Sequence, residues 1–181
     1  MNATPSAAHR QRGITLVESM TVLAVTAVLV GVALPSFDQM RQRRHLEGIA
    51  LQYETDVHHA RSLAVARQQT VRISFSNGHA ASCYVVHTGA PNACTCAADG
   101  TALCSAGAQP LRAVRLDAAR EARLTSNAAS MVFDPVRGTV TPTGTVTVTT
   151  RDGRTLKQTV NIMGRVRSCA PAPGLPGYRT C

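Results

Sequence analysis

Tryptophan is absent from this 181-residue chain, and phenylalanine and tyrosine supply only 3% of it. So few rings leave no platform on which nucleic-acid bases could stack. Lysine occurs once, at Lys157. Acids are scarce as well: ten stand against nineteen cations, and none follows Asp152. The C-terminal part is therefore positive, which suits anionic partners such as nucleic acid or lipid headgroups. A genome that writes Arg for Lys would account for many of the same positions. No Ser-His-Asp set, paired carboxylates or glycine-rich phosphate loop occurs at workable spacing, so an enzyme is not expected. His58 and His59 are adjacent on a helix and do not face one metal. No cofactor is expected.

Cysteine is missing from the first 82 residues and then occurs six times, at Cys83, Cys94, Cys96, Cys104, Cys169 and Cys181. An even number of this kind points to disulfides in an oxidising compartment. Six cysteines allow 15 pairings, and the sequence does not choose among them. Cys94, Cys96 and Cys104 can staple the long loop around them. Cys169 and Cys181 can close the Pro/Gly-rich tail into a loop that holds the preceding arginines against a sheet. A metal site built from Cys94, Cys96, Cys104 and His79 or His87 fits less well, because Cys-x-Cys is poor zinc spacing.

What is present is most informative at the start. Polar and small residues run into Arg10-Gln11-Arg12-Gly13, and an apolar stretch from Ile14 to Leu34 follows. At about 1.5 Å per residue it is long enough to span a bilayer. No Ala-x-Ala-like site follows, as a secretory signal would require. Basic residues precede it, so the leader should stay cytoplasmic and the remainder be exported. Glu18 is its one ionisable residue, and an acid in hydrocarbon costs several kcal/mol, about, unless paired. These features predict a leader at 1–13, cleavage after Gly13 and a new N-terminus at Ile14. An uncut signal-anchored protein would need neither Gly13 nor Glu18. Removing Arg10 and Arg12 with the leader leaves a net charge of +7.

Pro35 should kink or interrupt the helix. Beyond it, over 36–69, Leu46, Ala50, Tyr53, Val57, Ala60 and Ala64 recur at helical spacing, with an end near Arg67 to Gln69. That apolar stripe needs a partner layer, and residues 70–181 supply it as β-structure. Val71, Ile73 and Phe75 alternate with polar residues, and Asn77-Gly78 reads as a turn. Further strands are expected at Ser82–His87, Leu111–Leu116, Arg123–Thr125 and Met131–Phe133, with a long loop over 88–109. Asp152-Gly153 should close a hairpin between Thr145–Thr150 and Arg154–Val166, with Ile162 on the inner face beside Leu156 and Val160. Asp99-Gly100 reads as another turn. The tail from Ala170 to Cys181 reads as irregular.

Leader, Gly13, Glu18, Pro35, long helix and cysteine-bearing β domain together resemble a type IV pilin-like protein. The run Arg12-Gly13-Ile14-Thr15-Leu16-Val17-Glu18 is similar to the prepilin peptidase recognition motif. It departs at Ile14, where Phe or Met is commoner, and at Val17. Phe133-Asp134-Pro135, Gly138-Thr139 and Gly164-Arg165-Val166-Arg167-Ser168-Cys169 resemble the GspH/FimT group of minor pilins and pseudopilins. The resemblance implies an α+β fold, one long N-terminal helix packed on an antiparallel β-sandwich-like domain. It implies cleavage and methylation at Gly13 and Ile14 by prepilin peptidase. It also implies residence in the inner membrane as a single-pass protein with a periplasmic domain, then in a surface or periplasmic filament of other pilins. Glu18 would meet the Ile14 amine of a neighbouring subunit. Some FimT-type members bind DNA through a Gly-Arg-x-Arg segment, so the resemblance makes Arg165 and Arg167 candidate DNA contacts, sharing one face if they lie on a strand. Solvated strand-end arginines are the plainer account. A type II secretion pseudopilin is the alternative, and a membrane-anchored metal-binding or enzymatic domain a remote one.

Overall fold

A computed structural model describes residues 13–78, 81–105, 107–119, 122–172 and 174–181, with backbone alone at 32–36. The chain divides into two units, Met1–Arg41 and Gln42–Cys181. Helix α1, Leu16–Arg67, enters both. It starts where it does because Thr15 caps it: Thr15 Oγ1 accepts the Glu18 amide at 3.2 Å, half of a capping box. It ends as expected, at Arg67, with Gln68 in the left-handed conformation at φ 52°. The helix passes through position 35, so the expected interruption at Pro35 does not occur. A helix can continue past a proline at the loss of one backbone hydrogen bond.

In the first unit the described side chains run from Gly13 to Gly31 and then from Phe37. The apolar ones are exposed on every side, Leu23 at 69% and Val28 at 67%. Among the described residues no helix is long and apolar enough to cross a membrane. The span expected over 14–35 is thus only partly covered, because side chains 32–36 lie outside the described set.

In the second unit the expected stripe is buried: Leu46, Tyr53, Val57, Ala60 and Ala64 are inaccessible and Ala50 nearly so. Two antiparallel sheets close over it. The first runs in the order β5 (Pro110–Asp117), β2 (Ala81–Thr88), β1 (Val71–Asn77), β7 (Ser130–Phe133), β8 (Val140–Thr141). The second runs β11 (Val166–Cys169), β10 (Thr155–Val160), β9 (Gly144–Thr150), β6 (Ala122–Ser126). Val71, Ile73, Tyr84, Val86, Met131 and Phe133 from the first join Leu124, Val146, Val148, Leu156 and Val160 from the second in one core with the helix. Alternation explains both sheets: each strand turns one set of side chains inward and the other out.

Two expectations need correction. The loop over 88–109 contains a hairpin, β3 (Cys94–Cys96) and β4 (Ala102–Cys104), turning at Asp99-Gly100. Strands of three residues among Ala and Cys carry no legible alternation. The strand expected over Arg154–Val166 is two, β10 and β11, separated by a turn at Asn161–Gly164. That turn carries Ile162 outward, 57% exposed, instead of into the core.

Candidate functional site

Gly13, Ile14 and Thr15 precede the helix and are exposed, so the bond between Gly13 and Ile14 is outside regular structure. Glu18 is exposed one turn in, and no side-chain partner meets its carboxylate among the described residues.

Arg165 and Arg167 lie at the turn before β11 and on β11, and both are exposed. Only Arg167 is on the strand, opposite Thr159 of β10. Arg165 is fixed by its backbone instead. The Asn161 side-chain oxygen accepts its amide at 2.9 Å and that of Met163 at 3.0 Å, while Gly164 donates to Asn161 O at 2.8 Å. Gly164 is buried at φ 69°, and a Cβ there would lie 3.1 Å from Arg61 Cδ. Gly138, at φ 62°, meets the same side chain: its Cβ would lie 3.1 Å from Arg61 Nε. One helical arginine thus lies between the two turns, and both positions need glycine for space and for backbone conformation. Val140 donates to Ile162 O at 2.8 Å and ties the turns together. Arg61 was not legible as part of this site; an arginine on a helix surface is ordinary in such a chain.

The sequence expectations also pass over a buried carboxylate. Asp56, 2% exposed on the apolar face of α1, accepts the Tyr84 hydroxyl at 2.6 Å and pairs with Arg112 Nε at 3.0 Å. Burial, then the bond to Asp56, pushes the Tyr84 phenol far above its usual range. An acid one helical turn from Tyr53 and beside Val57 was the available signal.

The cysteines pair as Cys83–Cys96, Cys94–Cys104 and Cys169–Cys181, and none is free. The first two bind the β3–β4 hairpin to itself and to β2. Beneath it, on the outer side of the first sheet, Ser74, Val85 and His87 are buried. His87 donates from Nδ1 to Thr88 O at 3.0 Å and accepts the Ser74 hydroxyl at Nε2, 2.8 Å. Burial holds its pKa below the ordinary value. His79 lies outside the described residues. The third disulfide closes the tail, from Cys169 at the end of β11 to Cys181. Leu175 and Tyr178 pack on the core, and Arg43 donates to Pro176 O at 2.7 Å.

A helix with an exposed apolar N-terminal part, headed by a processing motif and followed by a disulfide-bonded β unit, defines a pilin-like filament subunit. Residues 8–34 match the prokaryotic N-terminal methylation motif, and residues 50–164 match the family described as type II transport protein GspH. The chain belongs to that GspH family of pilins and pseudopilins. No curated relative matches its sequence. Two solved structures are similar at low identity. One is the Pseudomonas aeruginosa type IV minor pilin FimU, at 19% identity over 75% of this chain and 96% of that one, TM-score 0.48. The other is the minor pseudopilin EpsH from the type 2 secretion system of Vibrio cholerae, at 12% identity over 71% and 98%, TM-score 0.47.

Proposed function

We propose that this protein is a minor pilin of a type IV pilus that carries DNA-binding capacity for transformation. It is inserted in the inner membrane, cleaved between Gly13 and Ile14 by prepilin peptidase, methylated, and drawn into a filament with other pilins. The observation that carries the reading is the methylation motif over 8–34 together with an apolar, exposed helix from Leu16 onward. Such a surface has no covering layer within the described chain, and neighbouring helices provide one. Glu18 then meets the Ile14 amine of an adjacent subunit, which removes the cost of a lone carboxylate among apolar helices. Arg165 and Arg167 supply bidentate donors to phosphate.

Mass spectrometry of the processed chain tests the first part. An N-terminal methylated isoleucine is expected, and any other first residue refutes it. Glu18→Ala should leave insertion intact but reduce recovery in sheared filaments at least tenfold; normal recovery removes the assembly role. Duplex mobility shift with Arg165→Gln/Arg167→Gln tests the last part, and unchanged affinity excludes those arginines. The GspH description of residues 50–164 favours a second reading, a type II secretion pseudopilin. Deleting the gene separates the two: loss of DNA uptake supports the pilus, loss of protein export the secretion filament.

A further inference from the structure

The outer face of the second sheet carries a chemistry that the filament role does not use. Strand register places Thr145 beside Thr159, Thr147 beside Lys157, and Thr149 beside Thr155. Thr125 and Arg123 of β6 flank Thr147 and Thr149. Pairs of these hydroxyls touch each other, Thr145 to Thr159 at 3.1 Å and Thr149 to Thr155 at 3.3 Å. All these side chains are exposed or half-exposed. Three cations cross the face on a diagonal. Arg167 pairs with Thr159 at the β11 edge, Lys157 lies one strand over and two residues along, and Arg123 two strands further and two residues along again. Sheet geometry makes these steps about 8 Å and about 12 Å. Among the described residues no acid lies on this face. Asp152 is in the hairpin at its end, paired with Arg154 at 2.8 Å.

We infer that this face is a track for the phosphate backbone of duplex DNA, entered at Arg165 and Arg167 and continued over Lys157. The inference rests on the DNA reading given above and extends it from an edge to a surface. Cations spaced along a line neutralise successive phosphates, and threonine hydroxyls donate to the oxygens between them. The face carries no aromatic ring, so it holds the backbone without stacking on bases, and contact is independent of sequence.

Lys157 is the only lysine in the chain, so one amine reports on the track. The mature full-length protein is acetylated with an amine-selective reagent, with and without saturating duplex DNA, and the N-terminal amine serves as internal reference. DNA should slow acetylation of Lys157 at least fivefold relative to that reference. Lys157→Gln should weaken duplex binding about threefold to tenfold and lower the salt slope by about 1. If the duplex is shifted while Lys157 reactivity and Lys157→Gln affinity stay unchanged, the track is wrong and the edge reading survives. If the native protein shifts no duplex, the DNA reading fails and the track fails with it.

Discussion

Helix α1 carries two carboxylates in apolar company, and they are treated oppositely. Asp56 is buried, and the chain answers it with the Tyr84 hydroxyl and the Arg112 guanidinium from β2 and β5. Glu18 is exposed among exposed Leu, Val and Met side chains and meets no partner among the described residues. The same contrast holds for the apolar surface. Leu46 to Ala64 find their covering layer in two sheets, whereas Leu16 to Gly31 are exposed. One half of the helix is completed by its own chain. The other half stays exposed over its described side chains, and that is the surface the proposed filament role would bury.

The sharpest way to break that contrast is to truncate one large side chain in each half. Tyr53→Ala removes a fully buried ring from the core and should cost about 3–5 kcal/mol of unfolding free energy. Leu23→Ala should change it by less than about 0.5 kcal/mol, since Leu23 touches no core. Denaturant titration of the detergent-solubilised chain reads both. A comparable loss in the two variants would mean that the first half is packed within its own molecule.

A smaller effect comes from Asp56→Ala. Removing one partner of a buried pair costs about 3–5 kcal/mol when the other stays buried. Arg112 is 48% exposed and regains water, so about 2 kcal/mol is expected here. Glu18→Ala should leave the same melting curve unmoved. If Asp56→Ala is neutral, the two carboxylates do not differ in the way their surroundings indicate.

Gly164→Ala ranks below this. The added Cβ meets Arg61 Cδ at 3.1 Å in a left-handed conformation, a strain of about 1–2 kcal/mol. The readout that matters is duplex binding, because the substitution disturbs the turn that aims Arg165. Weakened binding at a temperature where the variant is still fully folded would show a positioning role for Gly164. Unchanged binding would free Arg165 from its turn.

Much of this was legible beforehand because it depends on period. The stripe from Leu46 to Ala64 and the alternations of β1, β2 and β9 write burial directly into residue order. What was not legible depends on contacts distant in sequence. The role of Arg61 needs two glycines more than seventy residues away, and even the local turn at Asn161–Gly164 is hidden, because it rests on Asn161 capping the Arg165 amide four residues on and not on a residue pattern. The β3–β4 hairpin is held by Cys83 and Cys96 more than by any strand pattern. In the first unit the N-terminal methylation motif was legible because it is written in consecutive residues.

The mildest test concerns His87, beneath the disulfide-bound hairpin. Its pKa is lowered chiefly by burial, so the folded chain favours the neutral ring. As pH falls below about 6.5 the unfolded chain takes up a proton that the folded chain resists, and stability falls with it. The slope of unfolding free energy against pH is therefore positive as pH falls below about 6.5. Asp99 and Asp134, whose pKa values are lowered mainly by backbone amides of Thr101 and Arg137, lose their contribution only below about 3.8, their ordinary value. The two windows open at different pH, so His87→Gln should flatten the upper one and leave the carboxylate contribution intact. If the upper slope persists in that variant, some group other than the ring under the hairpin gives this domain its sensitivity to mild acid.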